Sequence, residues 1–299
     1  MTTRESKDRT RGIYVLAVTP MHADFSLDSA SLRRNIDHFI GAGAHGIVVG
    51  GTYAEYPSLS QTERRDLFVA AADAVAGRVP LVCCTAASGT AEAVALSQAA
   101  KRAGADMVMV TSPYVSEVEP KDIQYHFEVL CDAVDIPVMI YNSTSIGVHL
   151  SPEQIGELAT LKGVAAVKQG GTDIHAQVRT VALAGDKIAV LCGSDGTILG
   201  AMAVGMPGCS STVANFMAAE YVALYGEIQA GEWDKARSRF YRWQPVRNFC
   251  RKHGQPASTK AALELVGLPS GPVRPPFRSL GDAAKQELRG VLCEAGLLK

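Results

Sequence analysis

Three side chains close to the ends of apolar runs are of the types that carbonyl chemistry needs. Lys168 closes Gly163-Val164-Ala165-Ala166-Val167, whose small apolar side chains strip water from an amine and leave room around it. Such desolvation disfavours an ammonium, and the free amine is the nucleophile that attacks a carbonyl substrate. Tyr141 ends a second run, Ile136-Pro137-Val138-Met139-Ile140. A phenol there can give and take the protons of carbinolamine formation, dehydration and carbon–carbon cleavage. Thr52 follows Gly50-Gly51 and offers a hydroxyl that links the phenol to solvent. Gly51 lets backbone approach a ligand, and the N–H groups of Thr52 and Tyr53 make a cradle for a carboxylate. Plainer alternatives stand beside each residue: a lysine that snorkels or pairs with Glu55 or Asp195, a core tyrosine bonded to a carbonyl, a threonine serving a turn.

Other chemistries lack their residues. The seven histidines are scattered, without an i, i+4 pair or a carboxylate at ligand spacing, which predicts no metal site. There is no Gly-x-Ser-x-Gly elbow, and Thr19-Pro20-Met21-His22 is not the glycine-rich turn of a dinucleotide fold. Gly193-Ser194-Asp195-Gly196 and residues 205–212 stand where phosphate-binding barrels keep an anion, so a phosphate-binding isomerase or synthase barrel is an alternative. A net charge of −1 supplies no field for nucleic acid or an anionic membrane and points to a small-molecule ligand.

The elements that must position these residues repeat one unit: a β-branched apolar run, a Gly/Ser/Thr/Pro loop, then an Ala-rich amphipathic stretch. Strands are predicted at 13–19, 46–50, 79–85, 106–111, 136–142, 164–169, 187–193 and 203–210. Helices are predicted at 28–42, 60–76, 90–103, 120–133, 151–160, 173–183 and 196–202, with start signals at Ser60-Gln61-Thr62-Glu63 and Ser151-Pro152-Glu153. Eight such units close most economically as an α/β fold of the (β/α)8 TIM-barrel type. After about residue 213 only helices follow: 216–231 running on to 252, then 258–266 and 281–295, with a proline-rich linker at 269–276. The expected organisation is an N-terminal tail at 1–12, a barrel at 13–225 and a C-terminal helical extension at 226–299. With 47% hydrophobic residues the chain can build a sizeable core. No apolar stretch is long enough to span a bilayer, no signal peptide is evident, and seven cysteines without paired spacing read as thiols in a reducing cytoplasm.

In order along the chain, Thr19-Pro20, Gly51-Thr52-Tyr53-Ala54-Glu55 with Leu59-Ser60, Pro113-Tyr114, Tyr141-Asn142, Val167-Lys168 and Gly193-Ser194-Asp195 resemble the family of dihydrodipicolinate synthase and N-acetylneuraminate lyase, class I aldolase-type barrels. The resemblance continues through Lys260-Ala261-Ala262-Leu263-Glu264-Leu265-Val266-Gly267-Leu268 to Gly271-Pro272-Val273-Arg274-Pro275-Pro276 and covers nearly the whole chain. It implies an imine on Lys168, proton transfer by Tyr141, a hydroxyl relay through Thr52, and Tyr114 reaching across a dimer interface. It also implies a 2-oxo acid carboxylate on the Thr52-Tyr53 turn, a homotetramer built as a dimer of dimers, and no cofactor.

Two departures bear on the substrate. Tyr53 stands where the family has a second Thr or Ser, and Ala54 where it has Gly. After strand five, Tyr141-Asn142-Ser143-Thr144-Ser145-Ile146-Gly147 is one residue shorter than the loop of dihydrodipicolinate synthases and lacks the arginine that holds the second substrate's carboxylate. Ser143, Thr144 and Ser145 offer neutral hydroxyls in its place, unless Arg179 points into the mouth. The expectation is a Schiff-base lyase on pyruvate or a pyruvate-derived 2-oxo acid such as a 3-deoxy-2-oxo sugar acid. The alternatives are dihydrodipicolinate synthase proper and a non-catalytic sugar-acid-binding barrel.

Overall fold

A computed structural model describes residues 3–298. Its strands are β1 (Gly12–Leu16), β2 (Gly46–Val49), β3 (Leu81–Cys84), β4 (Met107–Thr111), β5 (Val138–Asn142), β6 (Val164–Gln169), β7 (Ala189–Cys192) and β8 (Gly208–Ser211). They follow one another in sequence order around a closed barrel, and every strand residue is buried. Helix α1 (Thr3–Arg9) precedes β1, and α2 (Ser29–Gly41), α3 (Gln61–Val75), α4 (Thr90–Ala103), α5 (Pro120–Ala133), α6 (Pro152–Leu158), α7 (Ile174–Ala184) and α8 (Ile198–Ala203) alternate with the strands. Five more helices end the chain: α9 (Ala214–Gln229), α10 (Trp233–Arg242), α11 (Gln244–His253), α12 (Ala257–Leu265) and α13 (Asp282–Glu294). This is the (β/α)8 TIM barrel with C-terminal helices that the period of the sequence implied.

The capping signals work as read. Ser60 Oγ accepts from Glu63 N while Glu63 accepts from Ser60 N at the start of α3, and Ser151 pairs in the same way with Gln154 ahead of Pro152 in α6. Three expectations are corrected. Residues 3–9 form a helix, because Thr10 Oγ1 bonds Ser6 O at 2.6 Å and Tyr14 Oη bonds Arg9 O at 3.1 Å. Strand eight begins at Gly208, since α8 runs to Ala203 and residues 204–207 make the turn behind it. The long helix from 216 to 252 is three helices: Gly231, with φ +76°, ends the first, and Pro245 occupies the opening turn of the third.

The chain divides into two compact units, residues up to 14 with 80–210, and 15–79 with 211–299. In the first, β4, β5 and β6 carry the parallel register Thr111↔Tyr141↔Lys168. The β5–β6 pairing slips after Val138↔Val164: Met139 faces Ala166, and Ala165 is skipped. One extra residue in β6 therefore puts Lys168 opposite Tyr141, where an unbroken register would put Val167. In the second unit, Trp243 stacks on Tyr221 with ring centroids 4.9 Å apart, both fully buried, and fastens the end of α10 to α9.

Candidate active site

Lys168 and Tyr141 stand side by side at the C-terminal ends of β6 and β5, each 6% exposed. The Lys168 Nζ lies 4.4 Å from the centroid of the Tyr141 ring, so the amine rests on the π face of the residue that bears the phenol. Gly193, just beyond β7, leaves space for the lysine stem: a Cβ there would lie 3.2 Å from Lys168 Cγ and 2.9 Å from Gln169 O. Thr111 completes the rung. Its hydroxyl is fully buried with no hydrogen-bond partner, and its only signal in the sequence was a polar residue at a strand end.

One step further along the strands, Asn142 and Gln169 form a second buried rung. Asn142 Nδ2 donates to Gln169 Oε1 and to Leu150 O, both at 3.0 Å, and its Oδ1 accepts from Leu150 N at 2.8 Å. No motif in the sequence marked Gln169 for this task. In the loop that follows β5, Ser143 is buried, Thr144 and Ser145 are exposed, and Ser143 Oγ lies 3.0 Å from Ser145 Oγ. Arg179 does not replace the missing loop arginine: it lies on α7 and gives its guanidinium to Glu153 on α6. Tyr114 is 37% exposed beyond β4, with its backbone N–H on Ser88 O.

In the other unit, Thr52-Tyr53-Ala54 form a single 3-10 turn with Gly51 extended at its start and Glu55 left-handed at its end, φ +66°. Thr19 Oγ1 holds the turn by donating to Ala54 O at 2.6 Å. Thr52 is half-buried and the Tyr53 ring is 39% exposed. The N–H groups of Ala54, Glu55 and Tyr56 all bond within the turn. Glu55 is held by the C-terminal segment: it accepts from Arg274 N at 2.7 Å, and Lys260 Nζ sits 2.7 Å from its other oxygen, a close ion contact rather than an aligned hydrogen bond. The ammonium's hydrogen bond goes to Pro272 O at 2.6 Å. Burial pushes the Lys260 amine down, and Glu55 opposes that shift. Arg274 in turn bonds Ser58 O, Phe25 O and the Glu63 carboxylate, whose pKa its hydrogen bonds hold at about 2. The motifs at 51–55, 260–268 and 271–276 thus belong to one buried anchor that fixes the turn. The sequence had left Glu55 open as a partner for Lys168; its amine is Lys260.

Among the described residues, no group of three His, Cys, Asp or Glu side chains stands close enough to hold a metal, and no helix is long and apolar enough to cross a membrane.

A lysine amine at the active end of a (β/α)8 barrel, set against a tyrosine, is the equipment of a Schiff-base lyase of the aldolase type, and that is the class of this enzyme. The chain belongs to the dihydrodipicolinate synthetase family, whose model matches residues 9–295. It is 33% identical over 289 residues to the 4-hydroxy-tetrahydrodipicolinate synthase of Pelobacter propionicus, spanning 96% of this chain and 99% of the relative. To that of Geobacter metallireducens it is 34% identical over 289 residues, with 96% and 99% covered. Among solved structures, the dihydrodipicolinate synthase of Thermotoga maritima matches with a TM-score of 0.91 at 28% identity over 96% of this chain and 99% of the other. That of Acinetobacter baumannii, solved in complex with pyruvate, matches with a TM-score of 0.92 at 27% identity over 96% and 99%.

Proposed function

We propose that the enzyme forms an imine between Lys168 and the 2-oxo carbon of pyruvate, or of a pyruvate-derived 2-oxo acid, with Tyr141 as the proton shuttle. The observation that carries this reading is the Lys168 amine 4.4 Å over the Tyr141 ring, both residues buried at adjacent strand ends. Pyruvate in the Acinetobacter baumannii relative supports the choice of 2-oxo acid. The amine adds to the carbonyl, the phenol protonates the departing hydroxyl as water leaves, and the imine then draws electrons from C3 to make or break the bond to a second substrate. The family resemblance gives Thr52 the role of hydroxyl relay and the Gly51-Thr52-Tyr53 turn that of carboxylate cradle. The turn's buried anchor supports that assignment, because a rigid cradle loses little entropy on binding.

For the second substrate the loop after β5 favours a neutral, hydroxylated carbonyl compound over aspartate semialdehyde. Residues 143–148 carry no ionisable side chain, and Arg179 is held by Glu153. A carboxylate there would find no guanidinium fork. Tyr114 is proposed to meet a partner subunit in a dimer of dimers, a reading supported by its exposure and by that of Val115, 65% exposed beside it. A cytoplasmic setting is supported by the cysteines, all seven of which are free thiols.

Borohydride added with pyruvate tests the central reading. One covalent adduct on Lys168 is expected, and Lys168→Arg should be folded and inert, since a guanidinium stays protonated and cannot attack a carbonyl. An adduct on another lysine, or turnover retained by Lys168→Arg, overturns it. Steady-state comparison of aspartate semialdehyde with neutral aldehydes and 3-deoxy-2-oxo sugar acids tests the substrate class. Efficient condensation with the semialdehyde alone, the activity that the relatives' names favour, would replace the neutral partner.

A further inference from the structure

We infer that Asn142 and Gln169 are the positioning pair for the second substrate: they lock residues 143–149 into one shape, and that shape sets which partner the imine meets. The inference rests on Lys168 being the imine-forming amine. Asn142 uses its amide as a strand neighbour would, giving an N–H to Leu150 O and taking one from Leu150 N, and so closes the loop at its far end. Its second N–H goes to Gln169 Oε1, and Gln169 Nε2 donates onward to Gly170 O at 3.1 Å. Both donors of the buried Asn142 amide are therefore satisfied within the fold, and Gln169, the other member of the pair, directly follows Lys168. A neutral amide at 169 supplies a donor and an acceptor without placing a charge beside the amine.

The loop is pinned a second time from the residue that follows β4. Ser112 Oγ donates to Val148 O at 2.7 Å and accepts from Val148 N at 2.6 Å. Gly147, with φ +73°, passes so close that a Cβ would sit 2.8 Å from Ser112 Oγ. Between the pins, Ser143 Oγ accepts from Ser145 N at 3.1 Å, which curls the chain into a local turn. Hydroxyls held this firmly discriminate by whether a partner hydroxyl or carbonyl meets them, and small misplacements are costly. The amide pair acts on specificity through the loop and takes no proton itself.

The test uses the full-length enzyme with Asn142→Ala, and with Gln169→Met, a neutral side chain of similar length that removes the acceptor for Asn142 and the donor to Gly170 O while leaving Asn142 its two bonds to Leu150. Three readouts are needed: pyruvate imine trapped on Lys168, kcat and KM for glyceraldehyde as the probe aldehyde, and amide hydrogen exchange over residues 143–150. In Asn142→Ala, KM for glyceraldehyde should rise about tenfold or more and kcat/KM fall by roughly ten- to a hundredfold, while imine yield moves less than about threefold. The 143–150 segment should exchange faster, and Gln169→Met should fall between Asn142→Ala and the unaltered enzyme in all three readouts; it carries the test if Asn142→Ala does not fold. Equal losses of imine and aldehyde turnover, an unchanged KM, or unchanged exchange would each overturn the proposal. Absence of an imine on Lys168 in the unaltered enzyme would remove the reading beneath it and the specificity claim with it, whereas the exchange result would still judge the clamp.

Discussion

Replacing Tyr141 by Phe removes one oxygen and leaves the aromatic face on which the Lys168 amine rests 4.4 Å from the centroid. The amine–ring contact, worth about 0.5 to 2 kcal/mol, is retained, as is nearly all the buried apolar surface of a residue 6% exposed. Stability should therefore change by no more than about 1 kcal/mol, the usual net worth of one hydrogen bond. On the proposed role for Tyr141 the chemistry loses its positioned acid and base, which is worth roughly two to four orders of magnitude in kcat. At about 1.4 kcal/mol per tenfold, that is about 3 to 6 kcal/mol of transition-state stabilisation lost with the fold intact. Three measurements check it: urea unfolding for stability, steady-state kcat with the preferred 2-oxo acid, and borohydride trapping for residual imine. A slow but detectable imine with kcat down at least about a hundredfold is the expected pattern. A kcat within a few-fold of the unaltered enzyme would refute the proton-shuttle role, and a large loss of stability would show that the phenol oxygen serves the core.

Glu55→Ala should destabilise the protein by about 3 to 5 kcal/mol in denaturant unfolding, because it strands the buried Lys260 ammonium, 3% exposed, without its counter-charge. A change below about 1 kcal/mol would show that Lys260 sheds its proton at little cost. His126, buried on α5 with Nδ1 2.8 Å from Thr90 Oγ1, has its pKa pushed down to about 4 by burial, from 6.5. The folded state then binds fewer protons than the unfolded one between those values, so its stabilisation is complete above about pH 6.5 and is lost as pH falls towards 4, up to about 3 kcal/mol. His126→Gln should flatten that slope in urea titrations at pH 7 and pH 5, and an unchanged slope would assign the acid sensitivity to other groups.

Much of this enzyme was legible in its residues. The βα period, the capping serines and the breaks at glycine act over a few residues, so the barrel and most helix starts followed from local pattern. Lys168 and Tyr141 stood out because an amine and a phenol at the ends of apolar runs are unusual, and strand ends face the active end of a barrel. What the pattern did not contain was partner choice. Lys168 meets Tyr141 only because β6 skips Ala165, a one-residue slip that depends on how two strands settle against each other. Glu55 finds Lys260, Arg274 finds Glu63 and Arg179 turns to Glu153, contacts between segments far apart in the chain or on separate helices. Gln169 looked like an ordinary polar residue until its amide was seen on Asn142. Period and propensity are properties of a short stretch of chain, whereas register and charge pairing are settled by packing among all the stretches at once, and only the tertiary structure contains that.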